Sequence, residues 1–304
     1  MTPAQRCIVF AGIGKMGLPM AAHLAAAGHR VLAVDPSPAR RALARERGLA
    51  VSDDLARALH DDLLDGPGAV IATSLPDDAA VLAVGAVIAA AAPPGATWID
   101  TSTVSPAASA QAAARAEARG VALLRAPVSG NASMAERAQL SVYASGDRGA
   151  YDACVGLLAC WGPQRAWLGP GEESRIAKLV VNLLIVGTST MLAEALALGE
   201  RGGLEWSQLW QVIEASAAAS PIVRAKAPAL RAHDYTPTFT VEQMRKDVAL
   251  IREAAAQVGV ATPVADVAAR ALDLAARSGE GGDDYAVVIR DARAASILPP
   301  TPTS

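Results

Sequence analysis

Residues Cys7 to Asp35 read CIVFAGIGKMGLPMAAHLAAAGHRVLAVD. An apolar run (7 to 11) ends in glycine, a helix-like segment (15 to 27) closes at Gly28, and a second apolar run (31 to 34) ends at Asp35. Strand, helix and strand within about 30 residues is the size of a βαβ unit. Between the first strand and the helix stands Gly12-Ile13-Gly14-Lys15-Met16-Gly17, a G-x-G-x-x-G in the context that a dinucleotide cradle requires. Gly12 allows the tight turn, Gly14 lets the backbone approach a pyrophosphate, and Gly17 allows close helix–strand packing. The helix N-terminus then turns its free N–H groups toward the phosphates. These six residues and Asp35 are the candidate cofactor contacts. Asp35 accepts from both ribose hydroxyls of NAD and repels the 2′-phosphate of NADP, so NAD is the preferred cofactor. Arg40 and Arg41 follow closely and leave NADP possible.

The alternation continues outward. Helices are expected at Pro38 to Arg47, Asp77 to Ala92 and Pro106 to Arg119, and strands at Gly68 to Thr73, Thr97 to Asp100 and Val121 to Ala126. Strands alternating with helices imply a doubly wound, mostly parallel sheet covered on both faces. From Ser174 onward the periodicity is helical. The Gly169-Pro170-Gly171 break therefore divides a Rossmann-like α/β domain (1–168) from an all-α domain (169–304). The Pro/Thr/Ser-rich tail, Pro299 to Ser304, is expected to be disordered.

Composition narrows the class. The chain has 304 residues, 52% of them apolar, and a net charge of -3. It carries no basic footprint for nucleic acid and no polybasic membrane anchor. Its first residues do not read as a signal peptide. The longest apolar stretch, Ile176 to Leu198, is interrupted by Lys178, Asn182, Thr188 to Thr190 and Glu194, and is read as a buried helix of a soluble protein. A cytoplasmic location is expected. Three cysteines without CxxC spacing and four histidines without HxxxH or HExxH spacing predict no metal.

Two clusters suggest chemistry. Lys178 sits in an apolar helical stretch where an ammonium is costly, so burial lowers its pKa toward a range useful for acid–base work. Asn182, four residues on, shares its helix face and can hold the lysine amine or a substrate hydroxyl. A lysine that snorkels to water beside an ordinary buried amide fits the same pattern. Ser129-Gly130-Asn131 offers a hydroxyl, an amide and freed backbone N–H groups to a carboxylate, although a plain surface turn has the same composition. Lys246 falls off the apolar stripe of Val241, Met244, Val248 and Ile251, which by periodicity makes it solvated.

Together these motifs resemble the β-hydroxyacid dehydrogenases, a family that includes 3-hydroxyisobutyrate dehydrogenase and tartronate semialdehyde reductase. The resemblance runs in order through the glycine motif, Leu75-Pro76, Asp100-Thr-Ser-Thr103-Val-Ser-Pro106, Ala126-Pro-Val-Ser129-Gly130, Lys178 with Asn182, Phe239, Lys246-Asp247 and Asp284. It implies a Rossmann-like domain followed by a long interdomain helix and an all-α substrate and dimerisation domain. It further implies hydride transfer between NAD(P) and a small hydroxy acid, with Lys178 as general acid/base and Asn182 beside it. Leu75, Pro76, Thr103 and Lys246 would lie against the cofactor, and Ser129, Gly130 and Asn131 would hold the substrate. A homodimer or homotetramer is implied too.

The substrate segment departs from the family's D-A-P-V-S-G-G. Arg125 replaces the acid, Asn131 replaces the second glycine, and Ser133 to Leu140 replace a glycine-rich stretch, which puts the usual substrates in doubt. Reduction of aldehydes, keto acids or imines, and a non-catalytic nucleotide-binding protein of the same fold, are the alternatives.

Overall fold

The computed structural model describes residues 5–60 and 68–295; the tail expected to be disordered lies outside them. Two compact units form, Met1–Lys178 and Leu179–Ser304.

The first unit alternates strand and helix: β1 (Cys7–Ala11), α1 (Gly17–Ala26), β2 (Arg30–Val34), α2 (Pro38–Glu46), β3 (Ala50–Ser52), α3 (Leu55–Leu59), β4 (Val70–Thr73), α4 (Asp78–Ala91), β5 (Thr97–Asp100), α5 (Pro106–Glu117) and β6 (Ala122–Arg125). It continues with β7 (Val128–Ser129), α6 (Ala132–Glu136), β8 (Ser141–Gly146), α7 (Arg148–Ala159) and β9 (Gln164–Trp167). Parallel pairing gives the order β3-β2-β1-β4-β5-β6. β8 joins antiparallel to β6 and to β7, and β9 runs parallel to β8. This is the expected doubly wound sheet with an extension that the alternation had not revealed. β1 is buried on both faces: Ile8 and Phe10 enter one core with Met20 and Leu24 of α1, and Val9 and Ala11 enter another with Ile88 and Trp98. Residues alternate across a strand, so a run without polar interruption needs cover on both sides. Chain direction around the sheet reverses between β1 and β4, and in open α/β sheets such a switch point, at the C-terminal strand ends, is where ligands bind.

A long helix, α8 (Glu173–Arg201), begins in the first unit and continues in the second. The second unit adds α9 (Trp206–Ala215), α10 (Pro221–Arg231), α11 (Val241–Gln257), α12 (Pro263–Ala275) and α13 (Val288–Ala295). Its own core gathers Leu179, Val186 and Leu196 of α8 with Trp210, Met244, Ile251 and Leu272. Among the described residues α8 is the one helix long and apolar enough, by length and composition, to cross a membrane. The reading of Ile176 to Leu198 as simply buried needs correcting. One face packs in the core, while Val180, Leu184, Met191 and Leu198 are exposed. A helix apolar all round gives no periodic signal of which face meets its own core.

Candidate functional site

The glycine turn lies at the end of β1, beside the loop after β4. Gly12 has φ +86° and donates its N–H to Val34 O at 2.9 Å. A Cβ there would overlap the Ser74 carbonyl oxygen, and one on Gly17 would overlap the Gly12 carbonyl oxygen. A Cβ on Gly14 would meet nothing within 4 Å. Protein packing therefore requires Gly12 and Gly17, whereas the space over Gly14 is open to a ligand. Among the described residues the N–H groups of Gly14, Lys15 and Met16 have no backbone acceptor, and they precede the first turn of α1. Open space, free donors and a helix N-terminus fit a pyrophosphate.

Asp35 follows β2. Its Oδ2 accepts from Ile13 N at 3.1 Å and its Oδ1 from Ser37 N at 2.9 Å. These bonds fix the carboxylate beside the glycine turn. Arg41 reaches back, as its position allowed, but to the carbonyls of Asp35 (2.7 Å) and Pro36 (2.8 Å).

The loops after β4 and β5 carry Leu75, Pro76 and Thr103. They are cross-braced: Leu75 N donates to Ser102 Oγ at 2.9 Å, and Ser105 donates its N–H (2.9 Å) and its hydroxyl (2.5 Å) to the Asp78 carboxylate. Beneath them Asp100, fully buried, accepts from Thr73 Oγ1 and Ser102 Oγ, each at 2.6 Å, and from Arg175 Nη2 at 2.5 Å. Arg175 belongs to the first turn of α8 and is 1% exposed.

Around the substrate segment, Ser129 ends β7 and Gly130 has φ +139°. Asn131 is the N-cap of α6, its Oδ1 accepting from Met134 N at 3.0 Å. That leaves its amide N–H₂ as the side-chain donor. The segment that replaces the glycine-rich stretch thus forms a short helix. Arg47 grips Glu136 on that helix through two bonds (2.8 and 2.9 Å), and this pairing lowers the Glu136 pKa. Arg125 is buried and pairs with Glu172 at 2.6 Å.

Lys178 and Asn182 are both buried, one turn apart on α8. The Asn182 amide donates to Asp247 Oδ2 at 2.6 Å, so its Oδ1 is the acceptor left over. On α11, Lys246 lies 2.9 Å from the other Asp247 oxygen and is only partly exposed, not solvated as its position off the stripe suggested. The salt bridge to Asp247 holds it down against the helix. Asp284 accepts from Lys226 Nζ at 2.6 Å. Burial pushes the neighbouring Tyr285 phenol up to about 12.

Sequence reasoning missed Arg175, Ser102 and the orienting part of Asp247. The available signal was a charge at the start of an apolar helix, since charged residues are almost never fully buried unless paired. No cluster of three or more metal-ligating side chains occurs among the described residues.

Residues 7–169 match a family model described as the NAD binding domain of 6-phosphogluconate dehydrogenase, and residues 173–291 match one described as the NAD-binding of NADP-dependent 3-hydroxyisobutyrate dehydrogenase. A probable 3-hydroxyisobutyrate dehydrogenase of Mycobacterium tuberculosis is 30% identical over 94% of this chain and 98% of its own length. An NAD-dependent L-serine dehydrogenase of Pseudomonas aeruginosa is also 30% identical, over 92% and 96%. The solved structure of Mycobacterium tuberculosis 3-hydroxyisobutyrate dehydrogenase with L-serine superposes with a TM-score of 0.85 at 30% identity, covering 95% of this chain and 99% of that one. With both halves matched in order and the whole fold shared, the chain belongs to the β-hydroxyacid dehydrogenases, the NAD(P)-dependent oxidoreductases that act on the CH–OH group of small hydroxy acids.

Proposed function

We propose that this protein is an NAD-dependent dehydrogenase of a small 3-hydroxy carboxylic acid in which Lys178 transfers the hydroxyl proton. The observation that carries the reading is the arrangement on α8. A buried lysine stands one turn from a buried asparagine whose amide is oriented by a buried carboxylate. Nicotinamide, when bound, supplies the hydride acceptor in one direction and the donor in the other. As general acid/base, Lys178 takes the proton from the substrate hydroxyl during oxidation and returns it during reduction. Asn182, held by Asp247, presents Oδ1 to the lysine amine or the substrate hydroxyl.

Gly12, Ile13, Gly14, Lys15, Met16 and Gly17 cradle the pyrophosphate, and Leu75, Pro76, Thr103 and Lys246 close on the remainder of the cofactor. Asp35, already oriented, takes the ribose hydroxyls, which favours NAD. Ser129, Gly130 and the Asn131 amide hold the carboxylate. The names of the serine and 3-hydroxyisobutyrate enzymes among the relatives support an acid of that size. Residues 1–168 then act as the dinucleotide-binding domain and 169–304 as the substrate and dimerisation domain of a cytoplasmic homo-oligomer. The exposed stripe of Val180, Leu184, Met191 and Leu198 supports self-association.

The test is reduced-nicotinamide absorbance with NAD and NADP, each against a panel of 2- and 3-hydroxy acids and their carbonyl counterparts. Lys178→Ala should lower kcat by at least about a hundredfold, the lower range for a lost general acid/base, with cofactor affinity kept. Unchanged turnover in that variant overturns the assignment.

A further inference from the structure

The start of α8 meets the sheet through four charges. Asp100 and Arg125 end neighbouring strands and are register partners. Their partners on the helix side, Arg175 and Glu172, lie three residues apart. Glu172 immediately precedes α8, and its carbonyl accepts from Ile176 N at 3.2 Å. A negative and a positive strand end thus face a positive and a negative helix position. Sliding the helix by one turn would bring Arg175 toward Arg125, like charge toward like charge. A buried polar arrangement of this kind specifies register, the best-attested use of such groups.

Arg175 does more than pair. Its Nη2 donates to Asp100, its Nη1 to the Ser102 carbonyl at 2.7 Å, and its Nε to Ser109 Oγ at 3.1 Å. Ser102 in turn donates its hydroxyl to Asp100 and accepts from Leu75 N. An unbroken chain of hydrogen bonds therefore runs from α8, three residues before Lys178, to the backbone of the Leu75-Pro76 turn.

We propose that Arg175 is a positioning residue that fixes two parts of the reaction apparatus at once, the height of Lys178 on its helix and the pose of the Leu75-Pro76 turn that meets the cofactor. This rests on the roles given to Lys178 and Leu75 above. Arg175 itself touches neither cofactor nor substrate. Its planar fork serves three acceptors in fixed directions, which a lysine ammonium on a flexible stem does not reproduce. Glu172 also supplies the opposite charge that a buried Arg125 needs.

The test uses three variants. Ser102→Ala breaks the link to Leu75 and leaves the ion pair. The double variant Arg175→Gln/Asp100→Asn removes both buried charges together and so avoids leaving one unpaired. Arg175→Lys keeps the charge and loses the fork. The first reading is amide hydrogen exchange at Leu75 in the protein without cofactor, which depends on no reaction. All three variants should expose Leu75 N–H to faster exchange, by about fivefold or more for the loss of one net hydrogen bond. NADH affinity measured by calorimetry should weaken in step. At saturating cofactor, kcat should fall about tenfold or more in the double and lysine variants, the scale of a small misplacement of a catalytic group. Folded variants with wild-type Leu75 protection and wild-type kcat overturn the proposal. Should the double variant fail to fold, Ser102→Ala decides, since unchanged Leu75 protection there breaks the chain at its middle link. Failure of the Lys178 assignment would read differently: Lys178→Ala would keep its turnover while Leu75 exchange in these variants still rose.

Discussion

Gly14 and Gly17 stand three residues apart and answer to different constraints. Gly17 has the Gly12 carbonyl where a Cβ would go, and Gly14 has open space. Gly17→Ala must displace the turn and should destabilise the protein by about 1–3 kcal/mol, the usual cost of overpacking. Gly14→Ala should leave thermal stability near wild type and weaken cofactor binding, because its methyl group enters only the volume left for the pyrophosphate. Melting temperature and NADH affinity measured on both variants separate the two roles, and equal losses of affinity and stability in both would refute the distinction. Asp35 and Asn131 illustrate a related point. The sequence marks each as a ligand contact, and each has part of its side chain engaged in local structure.

At the scale of elements, α6 lies in the segment where the sequence departs from the family's D-A-P-V-S-G-G motif. Its cap uses the Asn131 side-chain Oδ1, which leaves the N–H₂ for the carboxylate contact proposed above. The two functions come apart by substitution. Asn131→Ala removes the cap and should cost about 1 kcal/mol. Asn131→Asp keeps an acceptor for Met134 N but places a negative charge toward the substrate. Stability should hold in the aspartate variant while KM for a hydroxy acid rises about tenfold or more, as expected for a like-charge contact replacing a hydrogen bond. A KM unchanged in both variants would make Asn131 purely a capping residue.

Across the whole molecule, one face of α8 leaves large apolar side chains uncovered. Val180, Leu184, Met191 and Leu198 recur at spacings of four, seven and seven and are between 53% and 76% exposed. Such a stripe is a candidate for the self-association proposed above. Leu184→Glu/Leu198→Glu should halve the mass seen by light scattering if a dimer forms through it, or reduce a tetramer to a smaller species. A wild-type protein already monomeric at micromolar concentration removes that use of the stripe.

The sequence by itself determined the βαβ opening, five of the six parallel strands and the placing of the glycine turn, but neither β3 nor the order in which the strands pair. These rest on local patterns: a strand buried on both faces is apolar throughout, and a turn with φ +86° at Gly12 favours glycine. It also singled out Lys178, an ionisable group inside an apolar helix. Only the tertiary structure decided that β8 adds antiparallel to β6, since its pairing depends on a partner distant in the chain. The same holds for the partners of Arg125, Arg175 and Asn182, at positions 172, 100 and 247. A buried charge announces that it has a partner, but which one it has is a fact of three-dimensional proximity that no spacing along the chain encodes.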